Sequence, residues 1–148
     1  MTITDAPLHG KLGTEGLSSP DNLVFDKPGN LWVVTDISSS KLNKANEYAY
    51  HKNNAIFFVP TSGPNKGIAF RFANGPVDCE MTGPYLSPEG ETLFVNVQHP
   101  GETTGETSTG PGVFGQEATY TSWWPEGNKT VADNPSTPRP STVVITRE

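Results

Sequence analysis

The sequence predicts an all-β chain built of short antiparallel strands. Three observations carry that reading. Fifteen glycines and 14 prolines interrupt the 148 residues too often for long helices. The apolar runs are short, rich in Val, Ile, Phe and Trp, and bounded by Gly, Pro, Asn or Asp. One hairpin-like segment occurs twice. No 11-residue stretch keeps apolar residues at i, i+3, i+4 and i+7 free of a breaker, so helix should be nearly absent.

Taken in order, residues 1–15 carry no strand signal and are expected to be a flexible N-terminal segment. Leu23 to Phe25 forms a first short strand, and Asp26-Lys27-Pro28-Gly29-Asn30 a tight turn in which glycine supplies positive φ. Leu31 to Asp36 follows as a more apolar strand. Ala55 to Val59, a turn from Pro60 to Gly67, and Ile68 to Phe72 supply the outer two strands of the same four-stranded sheet. Leu86-Ser87-Pro88-Glu89-Gly90-Glu91-Thr92-Leu93-Phe94-Val95 then repeats the first hairpin, with Gly90 lying 61 positions after Gly29. The strand Leu93 to Gln98 leads into a long loop, 99–141, rich in Gly, Thr, Pro and Ser. Partial order is expected there, because Trp123 and Trp124 would be costly to leave wholly in water. Thr142 to Thr146 is an outer strand of the second unit.

Hairpin units repeated tens of residues apart are the pattern of a β-propeller, whose blades are four-stranded antiparallel sheets. Residues 16–148 make about two to three such blades. A propeller closes with roughly four to eight blades, so a partial propeller, a fragment of a larger one, is expected.

Composition excludes several function classes. Ten Lys and Arg against sixteen Asp and Glu give a net charge of −6, and no basic stripe tracks a phosphate backbone, so nucleic acid is not an expected partner. The apolar runs fall far below the roughly 18 residues of a membrane span, and no charged and apolar leader follows Met1. A lone cysteine, Cys79, excludes an internal disulfide and a multi-cysteine zinc site. Gly-x-Ser-x-Gly, His-Glu-x-x-His, Gly-x-x-x-x-Gly-Lys and Gly-x-Gly-x-x-Gly are all missing.

The candidate site follows from the repeat. In a propeller the residues ahead of each innermost strand converge near the central channel. Asp21 and Asn22 precede that strand in the first copy, and Glu80 with Thr82 in the second. Two carboxylates facing one channel repel unless a cation lies between them, and Ca²⁺ takes hard oxygen ligands of this kind. The competing reading is that Asp21 and Asn22 make an Asx-type turn after Pro20. Asp36, at the end of its strand, is expected on the opposite rim as a solvated aspartate. His99 reads either as a ligand or proton donor, or as an ordinary histidine entering the Pro100-Gly101 turn. Cys79 reads as a small buried apolar residue rather than a soft metal ligand. Arg139, stiffened between Pro138 and Pro140, suits either a phosphate or a surface salt bridge. His9 and His51 have no partners that the sequence reveals.

Read together, Ser19-Pro20-Asp21-Asn22-Leu23-Val24-Phe25-Asp26, Gly29-Asn30-Leu31-Trp32-Val33-Val34-Thr35-Asp36, Glu80-Met81-Thr82-Gly83-Pro84, Ser87 to Glu102, Ser122-Trp123-Trp124-Pro125 and Pro138 to Ile145 resemble the carboxyl-terminal region of PhoX-type alkaline phosphatases. The likeness runs in family order from Gly16 onward. It implies a propeller that holds calcium and iron in its channel and hydrolyses phosphate esters of small molecules in the periplasm or outside the cell. Asp21 and Glu80, with Asn22 beside the first, would stand among the groups facing the metals. Arg139 would clamp a phosphate oxygen as a catalytic residue. Family members also carry a twin-arginine export signal and amino-terminal blades that bring an iron-binding cysteine. This sequence has neither, and Cys79 does not stand in that cysteine's place. The missing N-terminal blades are therefore an expected partner, and little activity is expected of the chain by itself. The alternatives are a calcium-dependent lactonase-type propeller, and a non-catalytic propeller module that binds protein through Trp123 and Trp124.

Overall fold

The computed structural model describes residues 17–101, 121–126 and 138–147. Seven strands form in chain order: β1 (Pro20–Phe25), β2 (Leu31–Thr35), β3 (Ala55–Val59), β4 (Phe70–Asn74), β5 (Glu80–Leu86), β6 (Thr92–Gln98) and β7 (Ser141–Thr146). There is no helix among the described residues. The strands make two antiparallel sheets, β1-β2-β3-β4 and β5-β6-β7, which is the partial propeller expected. The N-terminal segment and most of the long loop lie outside the described residues.

The turns act where the sequence placed them. Gly29 and Gly90 hold φ of +90° and +79°, and Asp26 secures the first turn by accepting bonds from Asn30 N at 2.7 Å and Trp32 Nε1 at 3.2 Å. One expectation needs correcting. The fourth strand is Phe70–Asn74, not Ile68 to Phe72, because the turn uses the backbone N–H groups of Gly67 and Ile68 on Pro60 O and Asn65 O. The strand near the C-terminus is the outer strand expected of the second unit: it pairs with β6 over six residue pairs as the third strand of its sheet, which has three strands among the described residues.

Alternation along β2 buries both of its faces. Val34 turns toward the second sheet, where Ile56, Cys79, Met81, Leu93, Val95 and Val97 complete the core between the sheets. Val33 faces the other way, with Leu17, Ala55, Phe57, Val59 and Ala69. Each fully buried aliphatic side chain of this kind stabilises the fold by about 1.5–3 kcal/mol. Trp124 packs on the inter-sheet core and donates its Nε1 proton to Ser141 Oγ at 2.5 Å. Trp124 therefore engages its indole N–H and part of its ring inside the molecule, and stays partly exposed.

Candidate functional site at the strand-end rim

Antiparallel pairing gathers the candidate residues at one rim. Pro20 pairs with Thr35, and Asp36 N donates to Ser19 O at 2.9 Å, so the end of β2 lies beside the start of β1. Asp36 therefore stands on the same rim as Asp21, not on the opposite one. In the second sheet Glu80 pairs with Gln98, which places the start of β5 beside His99. Asp21, Asn22 and Glu80 lie within strands β1 and β5 rather than ahead of them.

Both innermost strands carry a bulge at this end. In β1 the register shifts between Pro20 and Leu23, and in β5 between Thr82 and Tyr85. A bulge re-aims the side chains beside it and sharpens the local twist. The bulged segments are then tied to each other across the two sheets. Asn22 Oδ1 accepts from Thr82 Oγ1 at 2.6 Å and from Gly83 N at 2.9 Å. The oxygen that would reach a cation is thus engaged in holding the blades together. Ser19, Asp78 and His99, which flank these strand ends, all hold positive φ, a costly conformation for residues other than glycine.

The electrostatics follow from this placement. Burial raises the Glu80 carboxyl above the ordinary range, the charges of Asp36 and Asp21 raise it further, and His99 opposes them. Asp36 is raised by burial and by Asp21, and lowered by His99. Glu80 Oε2 accepts from Gln98 Nε2 at 3.0 Å and lies 3.2 Å from His99 Nε2. Three carboxylates from two sheets therefore share one field, with a histidine as the partial counterweight. Oxygen donors of this type fit a hard cation such as Ca²⁺. They do not supply a complete cage: among the described residues no three His, Cys, Asp or Glu side chains are arranged to hold an ion together.

Cys79 does not fit a soft-metal role. It is 2% exposed, its thiol contacts Pro76 O and Met81 Sδ in the core, and burial, with Asp78 and Glu80, pushes its pKa up to about 12. Arg139 sits beyond the Gln98 end of β6, ahead of β7. It is exposed, its guanidinium pairs with Glu126, and its backbone N–H donates to Trp124 O. Of its two readings, the described structure shows the surface ion pair.

Sequence reasoning missed Asn54. This residue is 1% exposed. Its Oδ1 accepts from Ile37 N at 2.6 Å and Thr35 Oγ1 at 2.9 Å, while Nδ2 donates to Cys79 O at 2.9 Å and Ile37 O at 3.2 Å. It therefore fixes the backbone next to Asp36 and next to Glu80 at once. The only sequence signal for it was an asparagine at the head of an apolar strand.

A family model described as alkaline phosphatase PhoX matches residues 3–101. Among solved structures, Pseudomonas fluorescens PhoX in complex with vanadate, a transition state analogue, is similar with a TM-score of 0.56 and 37% identity, over 91% of this chain and 20% of that one. The chain thus spans about a fifth of that relative's length. No curated protein matches it.

Proposed function

The chain belongs to the PhoX family of alkaline phosphatases, and from that premise we propose that it contributes carboxylates to a calcium- and iron-containing channel site that hydrolyses phosphate esters of small molecules. The observation that carries the reading is that strand pairing sets Asp36 beside the start of β1, while Asn22 next to Asp21 ties β1 to β5, the strand that begins at Glu80. No three of the described acidic side chains are placed to hold an ion together, so Asp21, Asp36 and Glu80 would share in holding a hard cation only together with oxygens from elsewhere in a longer propeller. Asn22 stands beside them and would join only by releasing one of its two inter-sheet bonds. Bound metal in such a site neutralises charge on the phosphoryl oxygens and makes a water-derived nucleophile available at mild pH.

The chain's own groups would do the positioning. His99 and Gln98 hold Glu80 Oε2 in place, so that its second oxygen stays available to a ligand. Asn54 keeps the two carboxylate-bearing strand ends at fixed separation. Arg139 would clamp a phosphate oxygen by exchanging Glu126 for the substrate, a swap that exposure makes inexpensive. Oxygens from the remainder of a longer propeller would complete the coordination, because Ca²⁺ takes six to eight. A periplasmic or extracellular setting belongs to the same proposal.

Calcium titration by calorimetry tests the assignment. The 148-residue chain should bind calcium weakly, and Asp21→Asn, Asp36→Asn and Glu80→Gln should each weaken binding by roughly tenfold. Unchanged affinity in all three variants would remove the metal role from this rim.

A further inference from the structure

The outer strands of the first sheet border a second candidate site, lined by none of the acidic rim residues. A cavity of about 580 Å³ opens between the segment 49–53 and β4, and Tyr50, His51, Lys52, Asn53, Arg71 and Asn74 line it. The chain as a whole carries a charge of −6, yet no carboxylate lines this cavity. Its titratable lining consists of an arginine, a lysine, a histidine and a tyrosine.

Arg71 is the decisive residue. It is only 6% exposed, and a buried guanidinium ordinarily needs a counter-charge. Among the described residues it has none. Nη1 donates to two neutral acceptors, Asn74 Oδ1 at 2.8 Å and Asn53 O at 3.3 Å. Its carbon end lies 5.0 Å from the centre of the Phe57 ring. Nε is buried without a hydrogen-bond partner. The ring face of Phe57 is a partial counterweight to the cation, but it carries no charge and leaves Nε unbonded.

The neighbours add to the case. His51 is buried against the rings of Tyr48 and Tyr50, which fixes its ring at the cavity wall. Lys52 is held with φ of +60°, a conformation a lysine does not choose unaided. The backbone is therefore constrained where the Lys52 ammonium and the Arg71 guanidinium flank one opening. A guanidinium offers paired N–H donors that match the oxygens of a carboxylate or phosphate.

We propose that this cavity binds an oxyanion, a phosphate or carboxylate group of a small molecule, with Arg71 as its principal partner and Lys52 and His51 at its sides. The anion supplies the missing counter-charge. The volume leaves room for the rest of the molecule beside the charged group, against Tyr50. This site is independent of metal binding at Asp21, Asp36 and Glu80.

The test is a titration of the isotopically labelled 148-residue chain, followed by backbone amide shifts, with EDTA present so that no metal can recruit an anion to the acidic rim. Inorganic phosphate is used in one arm and acetate in the other, with chloride holding ionic strength constant. Saturable shifts confined to residues 49–53 and 71–74 are expected with phosphate, with acetate, or with both. The two arms tell a tetrahedral preference from general oxyanion binding. Arg71→Gln should weaken binding by more than roughly tenfold. Because that variant disturbs a buried position, Lys52→Ala, at an exposed side chain, carries the test independently, with His51→Asn, at a buried one, read beside it, each weakening binding by roughly threefold. Arg139→Ala should leave these shifts unchanged. Absence of saturable shifts at 49–53 and 71–74 in both arms, or binding untouched by Lys52→Ala and His51→Asn, would overturn the proposal.

Discussion

Asn54 engages both polar atoms of its side chain, with two bonds accepted and two donated, in a place water does not reach. Removing it strands Ile37 N and Cys79 O, and each buried group left without a partner costs about 1–3 kcal/mol. Asn54→Ala should therefore lower unfolding free energy by about 2–4 kcal/mol in urea titrations. Asn54→Asp tests the donors alone: its oxygens still face Ile37 N, but the bonds to Cys79 O and Ile37 O are lost and a carboxylate is buried. It should be no better than the alanine variant. A loss below about 0.5 kcal/mol in both would show that water replaces the side chain and that the strand ends are fixed by other means. The site was partly legible at this scale. Asp21 and Glu80 were singled out from the hairpin repeat, in which Thr82, two residues after Glu80, is the position equivalent to Asp21. Asp36 was placed on the wrong rim, although antiparallel pairing alone puts the end of a hairpin's second strand beside the start of its first. Asn54 was invisible, since its bonds reach residues 17 and 25 positions away and no local pattern encodes them.

At the scale of elements, the contact between the sheets depends on β1 and β5 meeting through their bulges. Gly83 holds φ of +58°, and a Cβ there would come within 2.7 Å of Asn96 Nδ2. Asn96 is itself held, accepting from Thr142 Oγ1 at 2.7 Å. Gly83→Ala should thus cost about 1–2 kcal/mol from backbone conformation alone, and more if Asn96 keeps its place. Asn22→Ala removes the acceptor of Thr82 and Gly83 and should cost about 1–2 kcal/mol, since both donors are only partly shielded. The double variant should lose less than the sum of the two singles, because each breaks the same inter-sheet bond. Strict additivity in chemical denaturation would mean that the bulges do not act as one joint. The strands and turns were readable because breaker residues and β-branched runs are local signals. The bulges were not, since a bulge is defined by the register of a partner strand. The same holds for β4, whose start depends on how the preceding turn uses the N–H groups of Gly67 and Ile68.

Over the whole molecule, two sheets of a propeller bring together acidic groups that no single sheet could present, and this sets what the chain can do alone. Phosphate-ester hydrolysis asks for several positive charges around the transferred group, preorganised where negative charge collects. The described rim offers Asp21, Asp36 and Glu80, with His99 and Gln98 already bound to Glu80. With Glu80 Oε2 engaged by Gln98 and His99, the three carboxylates leave at most five oxygens, short of the six to eight that Ca²⁺ prefers, and the only cysteine lies in the core with its pKa raised to about 12, far from a thiolate ligand's state. The chain should therefore bind calcium without turning over substrate. With calcium and iron supplied, hydrolysis of a chromogenic phosphate monoester by the purified 148-residue chain should match the metal-only blank, while calorimetry on the same sample still shows calcium binding. Comparing the two readouts separates the parts of the argument. Binding without turnover fits an incomplete ligand set on a correctly formed rim. Metal-dependent turnover that Glu80→Gln abolishes would show instead that this chain builds a working site by itself, and that the ligand count drawn from the rim is too low.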